Sequence, residues 1–289
     1  MLSIFIIAQD VSKNFFLLQG KEFCTMIFQK QRKNKLKRLF TVFCITLCLC
    51  SCKGEEDKKD SIIKKYSNVS PVQWSEDIDG VIKTLPTDEG VLALTLDACG
   101  SKNDSLDENL IEFLVQNKIT ATLFINNRLI KKFPEKFEKL YKNPLFEIEN
   151  HGLLHAPASV NGRSIYNISG TKNSAELYDE VVLNADYIEK ITGRRPKFFR
   201  SGTAYYDEYA VRQIYDMGFV PVGFNILGDA GATYNERQIK NALLQSKNGD
   251  IIICHANHPK RATGRGLKTV IPLLQKRGFR CVRLDEYLK

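Results

Sequence analysis

Short, mostly apolar runs, each ending at or just before a polar side chain, alternate from residue 91 onward with stretches in which apolar residues recur three or four apart. The runs are Val91–Leu96 (ending at Asp97), Ala121–Ile125, Leu145–Ile148 (just before His151), Phe198–Phe199 (entering Arg200), Val220–Phe224, Ile251–Cys254 (entering His255) and Phe279–Val282. Apolar runs of this length predict β-strands. The 3–4 spacing predicts helices over Glu108–Lys118, Glu176–Thr192, Asp207–Met217, Glu236–Ser246 and Leu267–Lys276. About seven strands, each followed by a helix or the chain end, predict a mainly parallel sheet that nearly closes into a barrel. In such barrels the loops at the C-terminal strand ends build the active site, because the interior and the opposite rim are committed to packing. Asp97, His151, His155, Arg200, Asp229 and His255 all fall at that rim.

Charge changes the picture little. The formal net charge is +9, but residues 1–51 hold eight Lys/Arg against two acidic residues, leaving +3 for the rest. Without a concentrated basic stripe in the folded part, a nucleic-acid partner is not expected. The basic cluster Lys30, Arg32, Lys33, Lys35, Lys37 and Arg38 precedes the apolar run Leu39–Leu49, the layout of an export signal, and eleven residues are too few to span a bilayer. The run closes with Leu49-Cys-Ser-Cys52, which resembles a bacterial lipoprotein signal, in which the cysteine is lipidated and becomes the mature N-terminus. On that reading Met26 offers a start. The alternative is an ordinary signal or signal anchor.

The expected organisation is a removed signal region over 1–51 and a lipidated Cys52 with a charged, solvated tether over 52–66. A segment over 67–88, carrying the only tryptophan, Trp74, packs on the barrel, and one domain occupies 89–289. Of the eight cysteines, those outside the signal and Cys52 are Cys99, Cys254 and Cys281, too few for a disulfide framework.

The four histidines form two groups, His151/His155 and His255/His258. His151 and His155, four apart, share a face if they lie in one helical turn, a spacing that lets two imidazoles bind one metal ion. A catalytic zinc commonly takes three protein ligands, so a third partner is needed, most naturally a carboxylate such as Asp97.

Leu94-Thr-Leu-Asp97, His151-Gly-Leu-Leu-His155, Phe198-Phe-Arg200 and Ile251-Ile-Ile-Cys-His255 resemble, in order and spacing, the motifs of the polysaccharide deacetylase family, the NodB-like carbohydrate esterases, over about Val91 to Leu284. The resemblance implies a distorted (β/α)7 barrel that hydrolyses an N-acetyl group from an amino-sugar polymer such as peptidoglycan, chitin or poly-N-acetylglucosamine. It further implies that His151 and His155 hold a divalent metal, zinc first, that Asp97 takes the proton of the attacking water, that His255 protonates the departing amine, and that Arg200 orients or tunes Asp97. Those roles suit amide hydrolysis, which needs carbonyl polarisation, an acidified water and a proton for nitrogen. Arg200 beside Asp97 favours the carboxylate, and an imidazole titrates in the useful range.

Three departures accompany the resemblance. The family has two adjacent aspartates after the first strand, whereas Ala98 occupies the second position here, so Asp97, Cys99, Asp104 or water is left to complete a metal site. Cys99 reads either as a thiolate ligand in a His2Cys site or as a small residue in a tight Cys99-Gly100 turn. Ser201-Gly-Thr-Ala-Tyr205 replaces a proline and an aromatic residue, with Tyr205 and Tyr206 as the candidate sugar platform. Gly228-Asp-Ala-Gly231 stands where the family carries an aspartate-rich motif with a tryptophan, and Asp229 is expected to pair with Arg200. His258 reads as a rim residue that contacts substrate or completes the metal site, or as an exposed loop histidine. Ala156–Ser174 is long enough for a substrate-covering loop.

The expectation is therefore a monomeric, metal-dependent deacetylase of N-acetylated glycans, anchored by lipid at Cys52 in a bacterial cell envelope. A non-catalytic glycan-binding lipoprotein on the same fold, and a metal hydrolase of small amides or esters, are the competing readings.

Overall fold

A computed structural model of the chain describes residues 56–289. Asp60–Lys289 is a compact unit. The expected signal region, Cys52 and the start of the tether lie outside the described residues. The end of the tether is corrected: residues 60–66 are helical, and Ile62 and Tyr66 are buried against Val181 and Ile214. A charged run can be helical and still dock when two apolar side chains, here four apart, share one face.

The strands are β1 (Val91–Ala98), β2 (Ala121–Ile125), β3 (Phe146–Asn150), β6 (Phe198–Phe199), β7 (Val220–Pro221), β8 (Ile226–Leu227), β9 (Ile251–His255) and β10 (Arg280–Val282), with β4 (Ser164–Ile165) and β5 (Ile168–Ser169) forming a separate antiparallel hairpin. The helices are α1 (Glu108–Gln116), α2 (Asn127–Lys132), α3 (Pro134–Tyr141), α4 (Ser174–Thr192), α5 (Glu208–Asp216), α6 (Glu236–Leu243) and α7 (Thr263–Lys276). All pairings in the main sheet are parallel, in the order β7-β6-β3-β2-β1-β9-β8 with β10 also on β1. This curled parallel sheet with its helices is the distorted (β/α)7 barrel expected from the strand count. Its two edges, β7 and β8, are not paired to each other. The segment before β1 bridges the opening: Ile82 pairs with Val222, and Thr84 pairs with Asp250.

Side-chain alternation along the strands divides the core into layers. On β1, Leu92, Leu94, Leu96 and Ala98 face outward into a cluster with residues of α1, α2, α6 and α7, including Leu110, Leu129, Ile239 and Leu267. Val91 and Ala93 face inward onto Phe124, Phe198, Val222, Ile251 and Val282, the apolar filling of the barrel. Further along the inward face the filling turns polar, with Thr95 and Asp97 on β1 and Arg200 after β6, all buried. A second polar layer lies at the start of β3. There the buried Glu147 accepts from Thr122 Oγ1 at 2.6 Å, and Glu149 accepts from the Phe198 amide at 2.7 Å. A third cluster packs α4 and α5 with Tyr206, Phe199 and the leading helix.

Alternation makes a direct statement about Ala98. The position that the family fills with an aspartate belongs here to the outer apolar cluster and is 1% exposed. Ala98→Asp places a carboxyl among Leu110, Leu129 and Ile125 without a partner. We expect it to lower stability by at least roughly 2 kcal/mol in denaturant unfolding, whereas unchanged stability would mean that residue 98 can turn to the site.

Candidate active site

The centre of the rim is Arg200, delivered by β6 and fully buried. Its guanidinium donates to Asp97 Oδ1 (2.8 Å), Thr95 Oγ1 (2.7 Å), the Gly223 carbonyl (2.6 Å) and the Val222 carbonyl (3.3 Å), and it lies 4.2 Å above the Phe124 ring. Burial pushes the Asp97 carboxyl up, but Arg200, then His151 and His255, hold it below the ordinary value of 3.8. Asp97 is therefore a carboxylate at neutral pH. On β9, His255 is its register partner.

His151 follows β3 and is 1% exposed. Its Nδ1 lies 2.8 Å from the Arg200 carbonyl, so Nδ1 carries the hydrogen and Nε2 keeps its lone pair. Nε2 is buried with no hydrogen-bond partner and lies 3.6 Å from Asp97 Oδ2. His155 packs edge-on against His151, with ring centroids 4.8 Å apart. Burial lowers the His151 pKa; burial, then His151 and Arg128, lowers that of His155 to about 3. Both rings are neutral, the form that ligates a metal. Together with Cys99 they are the group of potential metal donors found among the described residues, all within 4.8 Å of one another. An orphaned imidazole nitrogen among two further donors fits a divalent cation.

The two histidines do not share a helical turn, as their spacing had suggested. Residues 151–157 are irregular, and His155 has a φ of 64°. The loop is held by side chains from elsewhere. Asn126 Nδ2 donates to the Gly152 carbonyl (2.6 Å), and Asn150 Oδ1 accepts from the Gly152 amide (2.9 Å). From α4, the buried Glu180 accepts from the Leu154 amide (2.8 Å) and the Ala156 amide (2.9 Å), straddling His155. Gly152 is required twice over: its φ is +76°, and a Cβ there would meet Glu180 Oε1 at 2.2 Å. Glu180 is a positioning residue with no mark in the chain to single it out, since it reads as one more polar residue of a helix.

At the other side of the rim, His255 is held by Asp229. Asp229 Oδ1 lies 2.8 Å from His255 Nδ1, while Oδ2 accepts from the His255 amide (2.8 Å) and Thr263 Oγ1 (2.7 Å). This corrects the expected Asp229–Arg200 pairing: Arg200 is engaged by Asp97, Thr95 and two carbonyls, while Asp229 is engaged by His255 and Thr263. Burial opposes protonation of His255, but Asp229, and after it Asp97, raise its pKa above 6.5. Burial likewise raises the Asp229 carboxyl, and His255 pulls it below its ordinary value.

Of the remaining candidates, Tyr205 is half-buried, while Tyr206 is not a platform. Tyr206 is fully buried, its hydroxyl accepting from the Ser201 amide at 3.0 Å, so it braces the strand end. Tyr205 is in extended backbone just after a 3-10 turn, and the next residue, Tyr206, is turned into the core. Tyr205 instead lies between Trp74 (5.7 Å between centroids) and Tyr166 (5.8 Å), the latter on the tip of the β4-β5 hairpin and 67% exposed. Neither Trp74 nor Tyr166 was expected from the sequence; the Ser-Ile-Tyr-Asn-Ile-Ser pattern of a two-residue hairpin was the available signal. His258 is partly exposed beside Asp104, its Nδ1 3.6 Å from Oδ1, and is not in the Cys99/His151/His155 group.

Two measurements test this description. Asp229→Asn lowers the His255 pKa, read by NMR titration of the imidazole; an unmoved value would mean that Asp229 does not hold the charge. Because the folded pKa exceeds 6.5, the pair's contribution to stability is complete below that pH and is lost as pH rises through the folded value. Glu180→Gln removes one of two acceptors, costs about 1–3 kcal/mol, and speeds hydrogen exchange at the Leu154 or Ala156 amide, while equal exchange would contradict the straddle.

Residues 84–222 match the family profile described as polysaccharide deacetylase. The barrel is similar to the crystal structure of the Bc1960 peptidoglycan N-acetylglucosamine deacetylase (TM-score 0.62, 20% identity, 72% of this chain and 92% of that one). It is also similar to PdaA of Bacillus subtilis, a family 4 carbohydrate esterase (TM-score 0.60, 19% identity, 79% and 88%). A third likeness is to BA3943 of Bacillus anthracis, a family 4 pseudoenzyme (TM-score 0.59, 19% identity, 74% and 71%). No curated protein matches the chain. Residues 84–222, just under half of the chain, thus carry the polysaccharide deacetylase profile, and the fold is the NodB-type distorted (β/α)7 barrel of these structures.

Proposed function

We propose that the chain is a metal-dependent hydrolase that removes acetyl groups from the amino sugars of an envelope polymer such as peptidoglycan. The observation that carries the reading is the meeting, at one rim, of an ionised carboxylate (Asp97), a neutral imidazole with an unpartnered nitrogen (His151) and an imidazole held by its own carboxylate (His255). His151 and His155 would hold a divalent cation, which when bound would supply carbonyl polarisation and acidify a water. The chain's own residues do the rest. Asp97, kept ionised by Arg200, accepts the proton of the attacking water. His255, oriented through Nδ1 by Asp229, has Nε2 to donate to the nitrogen as the carbon–nitrogen bond breaks and acetate leaves. Trp74, Tyr205 and Tyr166 offer ring faces beside the His155 loop, suited to the carbon–hydrogen faces of a sugar chain.

A second reading is favoured by one observation, the apolar placement of Ala98 where the family has an aspartate. On that reading the chain binds glycan without hydrolysing it. Lipid attachment at Cys52 and residence in the envelope belong to the same proposal and rest on the signal pattern of residues 30–52.

Acetate release from N-acetylglucosamine oligomers and from peptidoglycan, before and after chelation, tests the reading. We expect release that chelation removes, and a fall in kcat of roughly 10²- to 10⁴-fold in Asp97→Asn and in His255→Ala. Glycan binding with neither acetate nor metal would establish the binding protein instead. Tyr166→Ala is expected to raise KM for oligomers severalfold with kcat nearly unchanged, and equal KM would remove the aromatic platform.

A further inference from the structure

Beside Ala98 the next residue along the chain, just past β1, is a cysteine. On β1 the inward face carries Val91, Ala93, Thr95 and Asp97, and the outward face ends with Ala98 in the apolar cluster. One residue past the strand the chain returns to the inward side at Cys99, whose donor atom groups with those of His151 and His155 within 4.8 Å. In a zinc site with bonds of about 2.0–2.3 Å, donors lie roughly 3.3–3.8 Å from one another, so the three need close by only about 1 Å.

Two independent observations point to a ligand there. His151 Nε2 is buried without a partner, while Nδ1 is engaged by the Arg200 carbonyl, which leaves Nε2 as its donor to this group. Cys99 is itself buried and free of any disulfide. Its neighbour fixes it in place: a Cβ at Gly100 would meet the Leu129 amide nitrogen at 2.2 Å and the Arg128 carbonyl carbon at 2.3 Å, so the turn is pressed against the start of α2. The tight turn and the ligand are thus compatible readings of the same pair of residues.

We propose that Cys99 replaces the family's aspartate as the third protein ligand, giving a His2Cys site that takes a borderline-soft divalent cation such as zinc or cobalt in preference to magnesium, manganese or calcium. The thiol exchanges its proton for the metal, one proton being released per ion bound. Asp97 stays out of the coordination set and remains available as the base. Sulfur shifts the preference because a polarisable thiolate matches softer ions, whereas carboxylate and water suit the hard ones. This deepens the reading of the rim as a metal-dependent hydrolytic site and rests on it for function, but the coordination is measured separately.

The test is titration of the metal-free full chain with cobalt(II). The expected result is a sulfur-to-cobalt charge-transfer band that saturates at one ion per chain. Cys99→Ser should abolish the band and weaken binding by more than roughly tenfold, while Cys254→Ser and Cys281→Ser keep it. Without any substitution, zinc should protect Cys99 from alkylation, read by mass spectrometry of the peptide that contains it. Absence of the band, its persistence in Cys99→Ser, or alkylation of Cys99 unaffected by zinc would overturn the assignment. A chain with the band but no acetate release keeps this site and loses the deacetylase reading, whereas metal-dependent acetate release without the band loses this site alone.

Discussion

A single buried guanidinium organises the rim of this barrel. Arg200 is enclosed on all sides, and a charge removed from water is tolerable only where its hydrogen bonds are met by a counter-charge and well-placed acceptors. Asp97 supplies the charge, while Thr95 and the carbonyls of Val222 and Gly223 supply acceptors. The same residue's backbone carbonyl sets the tautomer of His151. One side chain and its peptide thus fix the ionisation of the base candidate and the lone pair of a metal-ligand candidate. Moving Arg200 disturbs both.

The rest of the fold serves that arrangement in layers. The interior is apolar where Val91, Phe124, Phe198 and Ile251 meet, and becomes polar toward the C-terminal strand ends, so the low-dielectric floor strengthens every interaction above it. The two imidazole groups are then locked by carboxylates of different chemistry. Asp229 stabilises positive charge on His255, while Glu180 uses its oxygens on backbone amides to hold the loop around His155. Burial drives the Glu180 pKa up to about 7, and the loop amides it accepts from pull it back toward the carboxylate.

Much of this was legible in the chain because strand alternation and strand ends are strong signals. Val91–Ala98, Ala121–Ile125 and Ile251–His255 stand where the apolar runs put them; Asp97, Arg200 and His255 are the first polar residues beyond their runs, and His151 follows three residues after its own. What was missed depends on tertiary context. Strand β8 is two residues long, and α2 and α3 are short and separated only by Phe133, so none has a period to read. The His151–His155 spacing suggested a helical turn, but Gly152 at positive φ and the acceptors of Asn126, Asn150 and Glu180 impose a loop. Tyr205 and Tyr206 looked equivalent, yet adjacent positions face opposite ways. Asp229 could have met Arg200 or His255, and only the tertiary placement of both its oxygens on His255 and Thr263 decides between them. The exchange of an aspartate at 98 for a cysteine at 99 is the subtlest case, since the sequence offers the residue but not the face it occupies.

Hydrolysis at this rim requires Arg200 to keep Asp97 ionised in a buried place. Carbon-13 NMR titration of the Asp97 side-chain carboxyl in the intact protein measures this directly. The predicted result is a midpoint below the ordinary 3.8, with the carboxylate persisting through neutral pH. A midpoint above the ordinary value would show burial overcoming the guanidinium, and would leave the rim without a base.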